Sequence, residues 1–532
     1  MATAASAERA GAAQVLRALP AWTLTAALAL VWLALDPPTP DLAAHEYRAA
    51  LAERVGFAVW EQGWFGGHHL PGYSVLMPPL AALLSPQLVA AAGVVAAAWC
   101  FERLAGAHWA RAAARAASVW FAVGAVSTLL GGQLAFAAGL APALGALLAA
   151  GRGRAGTGAL LGALTTLTSP VTAAFLVLAC AAWWLDRRGR APLAVAAGTV
   201  VPGLLILLAF PQGGTQPFEV SSFAWAFLVA AGFAAALPRR ERTLRIGAAL
   251  YALVLLLGVL FDTPLGGNLV RLAAVFGGPL AAGALWEQRR RLLYLIAVPL
   301  LYWQWLAPVR SAVRGAGDPS AKASYHEPLL AELDRRAAAE GPFRAHVPFT
   351  ANHWETRFIP LRHPLARGWE RQLDVKLNPL FYEQRPLTPV RYRAWLDELA
   401  VRYVALSDVK LDPAGKEEGA LVKTGQVPGL RPVWRSRHWR LYEVVGSRPL
   451  ASPPVTATRL GPDSIELTTP RPATTTLRIR HSPYLALTRG AGCVWRAPGG
   501  WTRLRLTVPG PARLDARFSL ERIRAGGERC SD

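Results

Sequence analysis

Long apolar runs alternate with short polar turns through the first three hundred residues of this chain. The runs fall at about 19–35, 74–104, 112–130, 134–150, 156–168, 170–185, 191–210, 222–237, 244–261, 268–286 and 292–307. Several approach the ~20 residues that an α-helix needs to cross a bilayer. Pro78, Pro79 and Pro86 break the second run, which predicts a short half-helix ahead of a full crossing. The stretch 156–185 has Thr168-Ser169-Pro170 at its middle and is too long for one span.

Beyond residue 307 the period changes. Residues 320–340 read as an amphipathic helix. Residues 342–446 mix strand-like runs, such as Arg402-Tyr403-Val404-Ala405-Leu406, with a helix near 389–399, which predicts a small α/β domain. From about 453 to 520 the pattern alternates, as in 474–480 and 502–508, with Pro/Gly turns between runs, and predicts a β-sandwich. The domains expected are therefore 1–307, 308–446 and 447–532.

Charge orients the apolar part. Basic residues cluster at Arg103/Arg111/Arg115, Arg152/Arg154, Arg187/Arg188/Arg190, Arg239/Arg240/Arg242/Arg245 and Arg289/Arg290/Arg291. The turns at 131–133, 211–221 and 262–268 carry almost no positive charge. The positive-inside rule places the Arg clusters in the cytoplasm and makes 156–185 a hairpin with Ser169-Pro170 at its outer tip. About eleven crossings follow, with the N-terminus cytoplasmic and the C-terminal region outside the cell membrane. The first apolar run reads as a retained anchor, because no clear cleavage site follows it. The chain of 532 residues is 53% hydrophobic and 17% charged, which sets it apart from a soluble domain. A net charge of +22 raises nucleic acid as a partner. The arginines sit between apolar runs or are scattered through the tail, so nucleic acid is rejected in favour of acidic membrane lipid. Cys100 and Cys180 lie in apolar runs as packing residues, while Cys493 and Cys530 pair only if the tail is extracytoplasmic and folds them together.

The polar, aromatic loop at 36–80 holds the candidate chemistry. Thr39-Pro40-Asp41 is a helix start, which puts Asp41, His45 and Arg48 on one face. Tyr47, Leu51 and Val55 form an apolar stripe suited to the membrane interface. Asp41 is either a helix-dipole residue or a general base assisted by His45. Glu46, a less certain catalytic acid, projects about 100° away from His45. His68 and His69 either bind phosphate or cap a turn. Asp41, His45 and His68 or His69 leave room for a divalent metal, but without tight ligand spacing. Asn268 and Arg271 stand at the outer end of a span, where an arginine either snorkels or faces a carboxylate or a substrate phosphate. In the tail, Trp354 and Trp369 sit among polar groups, either as sugar-gripping rings or as domain core.

Asp41, Glu46 and the turn Tyr73…Pro78-Pro79-Leu80 resemble the large first outer loop of GT-C integral-membrane glycosyltransferases. Here Leu42 replaces the second acid of their usual adjacent pair. The tail resembles the outer region of YfhO-like bacterial membrane proteins. The resemblance implies a polytopic α-helical membrane protein with an extracytoplasmic α/β plus β-sandwich region. It implies transfer of a sugar from a polyprenyl-phosphate donor to an envelope glycan or protein, with Asp41 as base. His68, His69, Tyr73, Asn268 and Arg271 would hold the donor, and Trp354 and Trp369 the acceptor. No organic cofactor is implied. Two other classes stay in view: a non-catalytic anchored protein that binds or assembles envelope glycan, and a transporter. The near absence of charge at mid-membrane depth counts against a transporter.

Overall fold

The structure is a computed structural model, and residues 19–520 are described. Each apolar run becomes a helix. Eight are long and apolar enough to cross a membrane: Pro86–His108, Arg111–Leu130, Leu134–Gly151, Pro170–Arg187, Arg190–Ala209, Arg242–Leu260, Gly266–Leu285 and Arg290–Gly315. Ala21–Leu35 and Pro40–Val55 meet at 81° and make a ninth only if counted together. Ala155–Thr168 and Val220–Ala236, of 14 and 17 residues, fall short of the others. At 1.5 Å per residue such helices rise only ~21–26 Å, less than the ~30 Å hydrocarbon layer. Eleven helices therefore form where eleven crossings are expected, and eight of them have crossing length.

The breaks fall at the prolines. Met77–Leu84 is a separate half-helix that ends at Ser85 (φ +87°) before Pro86–His108 begins. Ala155–Thr168 and Pro170–Arg187 meet at Ser169, whose hydroxyl accepts from the Thr172 N–H. The Leu167 carbonyl there accepts from Val75 and Leu76, which puts the 169–170 turn on the same rim as the 36–80 loop. The arginine-rich turns meet at the opposite rim. There His108 and Trp109 bond Glu241, Arg240 pairs with Glu287, and Thr243 donates to Asp186.

Beyond the helices a four-stranded sheet runs in the order Arg344–His346, Val401–Ser407, Trp439–Val444, Leu430–Arg435, with only the first pair parallel. Side chains of Val401–Ser407 alternate between its two faces. Tyr403 and Ala405 pack under helix Ala323–Glu340, and Val404 and Leu406 under Pro389–Glu398 and Lys416–Lys423. A second unit has sheets of four and three strands between Thr456 and Ala516, facing each other through Ile465, Leu467, Leu477, Ile479, Leu504 and Leu514. Cys493 in it is disulfide-bonded. Cys530 lies outside the described residues.

The 36–80 loop is the keystone of the fold. Instead of lying open to water, it buries Trp60, Trp64 and Phe65 at 1% exposure or less. Gly63 and Trp64 bond the α/β unit at Leu365 and Thr356, and Gln62 bonds the β-sandwich at Gly461, Pro462 and Ser464. Val59 and Trp60 even join the sandwich core. The expected membrane-facing stripe is corrected in the same way: Tyr47 and Leu51 pack on Trp64, Phe65 and Leu373. The α/β unit and the β-sandwich dock onto this loop and take the apolar face that lipid would otherwise cover.

Candidate functional site

Helix Pro40–Val55 begins with Thr39 at its N-cap and Pro40 in its first turn. One face then directs Asp41, His45 and Arg48 to three separate partners. The Trp369 indole N–H donates to Asp41 Oδ1 at 3.0 Å. His45 Nε2 lies 3.3 Å from Tyr73 Oη. Arg48, 3% exposed, pairs with Glu370 at 2.7 Å and stacks on the Tyr73 ring at 3.9 Å. Gly132 (φ +72°) makes the approach possible, since a Cβ there would meet Thr39 Oγ1 at 2.5 Å and Asp41 Cβ at 3.2 Å.

Arg271 closes the far side. A 3₁₀ turn, Gly266–Val270, leads into its helix and places Asn268 and Arg271 three residues apart on one face. The guanidinium is half-buried, 5.6 Å from the Phe136 ring centre, and Asp41 and Tyr73 are in its electrostatic reach. Among the described residues it donates to no acceptor, and Asp41 and Arg271 do not touch as an ion pair. The second oxygen of Asp41 and the Asn268 amide likewise have no protein partner. Four candidates thus lie within reach of one another: Asp41, His45, Tyr73 and Arg271. Burial first, then the positive charges of Arg48 and Arg271, push His45 down to about 3, so its imidazole is neutral at ordinary pH. Burial, with Asp41 nearby, pushes the Tyr73 hydroxyl up to about 12.

No model of a protein family matches this chain, and no curated protein matches it.

The other candidates go elsewhere. Glu46, about 100° round the helix from His45, pairs with Arg357 at 3.3 Å, and burial raises its carboxyl above the usual range. His68 and His69 are neighbours on a short strand paired with Trp60–Glu61, so they point to opposite sides. His68 Nδ1 meets the buried Glu61 at 2.9 Å, and His69 Nε2 meets Ser482 of the sandwich at 2.9 Å. His68 braces the loop internally and His69 clamps it to the sandwich, and neither is placed against Arg271. With His68 on Glu61 and His69 on Ser482, neither joins Asp41 and His45 in a metal set. No group of three or more His, Cys, Asp or Glu among the described residues is arranged to hold an ion.

The two tail tryptophans also part company. Trp354, 3% exposed, belongs to the core of the helical bundle. Trp369 reaches the site but has little ring to offer a sugar: His353 stacks on it at 3.4 Å and the Arg371 guanidinium sits 4.8 Å from its centre. His353 holds this position with φ +58°, a conformation that costs a non-glycine residue ~1–3 kcal/mol.

Three groups escape the sequence reading. Glu61 is a fully buried hub that accepts from Tyr47 Oη at 2.6 Å and from the Gly63 N–H, and it meets His68. Its signal was a lone acid between Trp60 and Trp64. Glu370 locks Arg48. The strap at 211–219 crosses the site's edge, held by Gln372 and Thr263 and leaning on Gly266, where a Cβ would strike the Gln216 carbonyl. Nothing local in that Gly/Gln/Pro segment announces its contacts.

Proposed function

We propose that this chain is a GT-C-like glycosyltransferase. It would move a sugar from a polyprenyl-phosphate donor to a glycan or protein of the cell envelope, with Asp41 as base. The observation that carries this reading is Asp41 beside Arg271: opposite charges in electrostatic range that form no ion pair. A half-buried guanidinium with no acceptor is suited to a phosphate. In the reaction the acceptor hydroxyl oxygen attacks the anomeric carbon and its proton passes to Asp41. The bond from that carbon to phosphate breaks, and the departing polyprenyl phosphate keeps the electron pair. Arg271 and Asn268 hold the charge that builds on it. Neutral His45, with Tyr73, orients the helix that carries Asp41. On this reading the arginine rim and the N-terminus face the cytoplasm, and the α/β and β-rich units lie outside.

One observation favours a second reading, a non-catalytic anchored protein that binds or assembles envelope glycan. The Trp369 bond already engages Asp41, and the α/β unit covers that side of the site. Reconstituted protein, a polyprenyl-phosphate hexose and envelope fragments separate the two. Release of polyprenyl phosphate should fall ~10²–10⁴-fold in Asp41→Asn, the range for losing a general base. Full turnover in that variant removes Asp41 from its role. No turnover of any hexose donor by the native chain leaves the anchored protein.

A further inference from the structure

The helical bundle holds an apolar cavity of about 510 Å³ that the site above does not use. It is lined along one helix from Thr172 to Arg187, a rise of ~22 Å. Its upper end, at Leu140, Thr172 and Leu272, stops beneath Phe136, whose buried ring lies between it and Arg271. Neither Phe136 nor Arg271 lines the space. Its lower end is at the arginine rim, where His108, Arg187 and Thr243 form the polar part of the lining.

Charge at that mouth is one-sided. Glu241 is held by His108 and Trp109, and Asp186 by Thr243 and Arg242. Among the described residues Arg187 reaches only Asp186, at 3.8 Å, with its side chain 68% exposed. Arg152 and Arg154 follow the lining residue Gly151, and Arg188 and Arg190 follow Arg187. None of these four has a carboxylate partner among the described residues. A shaft that is apolar along its length and positive at one end matches one acyl chain of a lipid that carries an anionic head.

We propose that this cavity binds an anionic lipid from the leaflet at the arginine rim, with one acyl chain in the shaft and its headgroup on Arg187 and its neighbours. The site is separate from the Asp41 and Arg271 pair and does not depend on the reaction assigned there.

Delipidated protein incubated with vesicles of phosphatidylglycerol or of phosphatidylcholine with the same chains tests this, with retained lipid counted by native mass spectrometry. Phosphatidylglycerol should be retained over phosphatidylcholine. Arg187→Gln should weaken that preference about fivefold, the effect of one arginine at a charged membrane surface. Ala179→Trp, which fills the shaft, should abolish retention of both. Arg187 is exposed, so its variant decides the matter if Ala179→Trp fails to fold. Equal retention of the two lipids, or unchanged retention in Ala179→Trp, overturns the proposal. So does loss of retention in Arg271→Gln without loss in Arg187→Gln, since the chain would then belong to a lipid held at the other rim.

Discussion

Replacing Glu370 with alanine should loosen the 36–80 loop from the α/β unit without disturbing the bundle. Arg48 is 3% exposed, and its one carboxylate partner among the described residues is Glu370, 14% exposed, at 2.7 Å. Removing one partner of a buried pair costs ~3–5 kcal/mol, because the other charge stays in a poor solvent. Glu370 is not fully buried and the Tyr73 ring still covers the guanidinium, so the low end, about 3 kcal/mol, applies. That energy resists local opening of Pro40–Val55, which hydrogen exchange reads directly. Amide protection over this helix should fall about a hundredfold, since ~1.4 kcal/mol is a factor of ten. Protection in Arg242–Leu260, far from the pair, should not change. A second variant, Arg48→Met with Glu370→Leu, should recover most of the loss by removing the stranded charge. A fall below tenfold in Glu370→Ala, or an equal fall in both helices, would refute the assignment of this pair as the clamp.

Three further outcomes follow from the same contacts. Tyr47→Phe removes a bond to the buried Glu61 and should cost ~1.5–3 kcal/mol, read as earlier thermal loss of the folded protein in detergent. Gly132→Ala strains a positive φ by ~1–3 kcal/mol and pushes on Thr39 and Asp41. Turnover in the donor assay should drop in this variant while expression and the bundle survive. His69 is held down to about 4 by burial first and then by His68 and His481. The unfolded chain therefore takes up its proton near pH 6.5, before the folded one does. Stability from His69 is complete above that pH and is lost towards pH 4, at up to ~1.4 kcal/mol per unit. His69→Gln should flatten that part of the stability–pH curve, and an unchanged slope would mean that another group titrates.

How much of this was legible in the sequence depends on how far apart the partners lie. The helices follow from local apolar runs, and the proline breaks at Pro86 and Pro170 from the chemistry of one residue. The face shared by Asp41, His45 and Arg48 follows from helical spacing alone. The partners do not. Arg48 meets Glu370 across 322 residues, and Trp369 meets Asp41 across 328. No pattern within one segment encodes such pairs, and the same blindness made the Tyr47–Leu51 stripe look like a lipid-facing surface. His68 and His69 misled for a different reason: adjacent residues in a loop look like one site, but a strand sends them to opposite sides.

The Trp369 bond is therefore the contact on which the two functional readings divide. A base must give its carboxylate to an incoming hydroxyl, and here one of its oxygens is committed to an indole held by His353 and Arg371. If the bond is only structural, Trp369→Phe weakens docking of the α/β unit and changes nothing else. If Asp41 works as a base, the indole instead orients the carboxylate so that its free oxygen faces Arg271. Trp369→Phe should then lower turnover while donor binding at Arg271 persists, a loss in kcat with KM held. A variant with turnover unchanged and docking loosened would leave the acid on the Pro40–Val55 helix as a latch between two units.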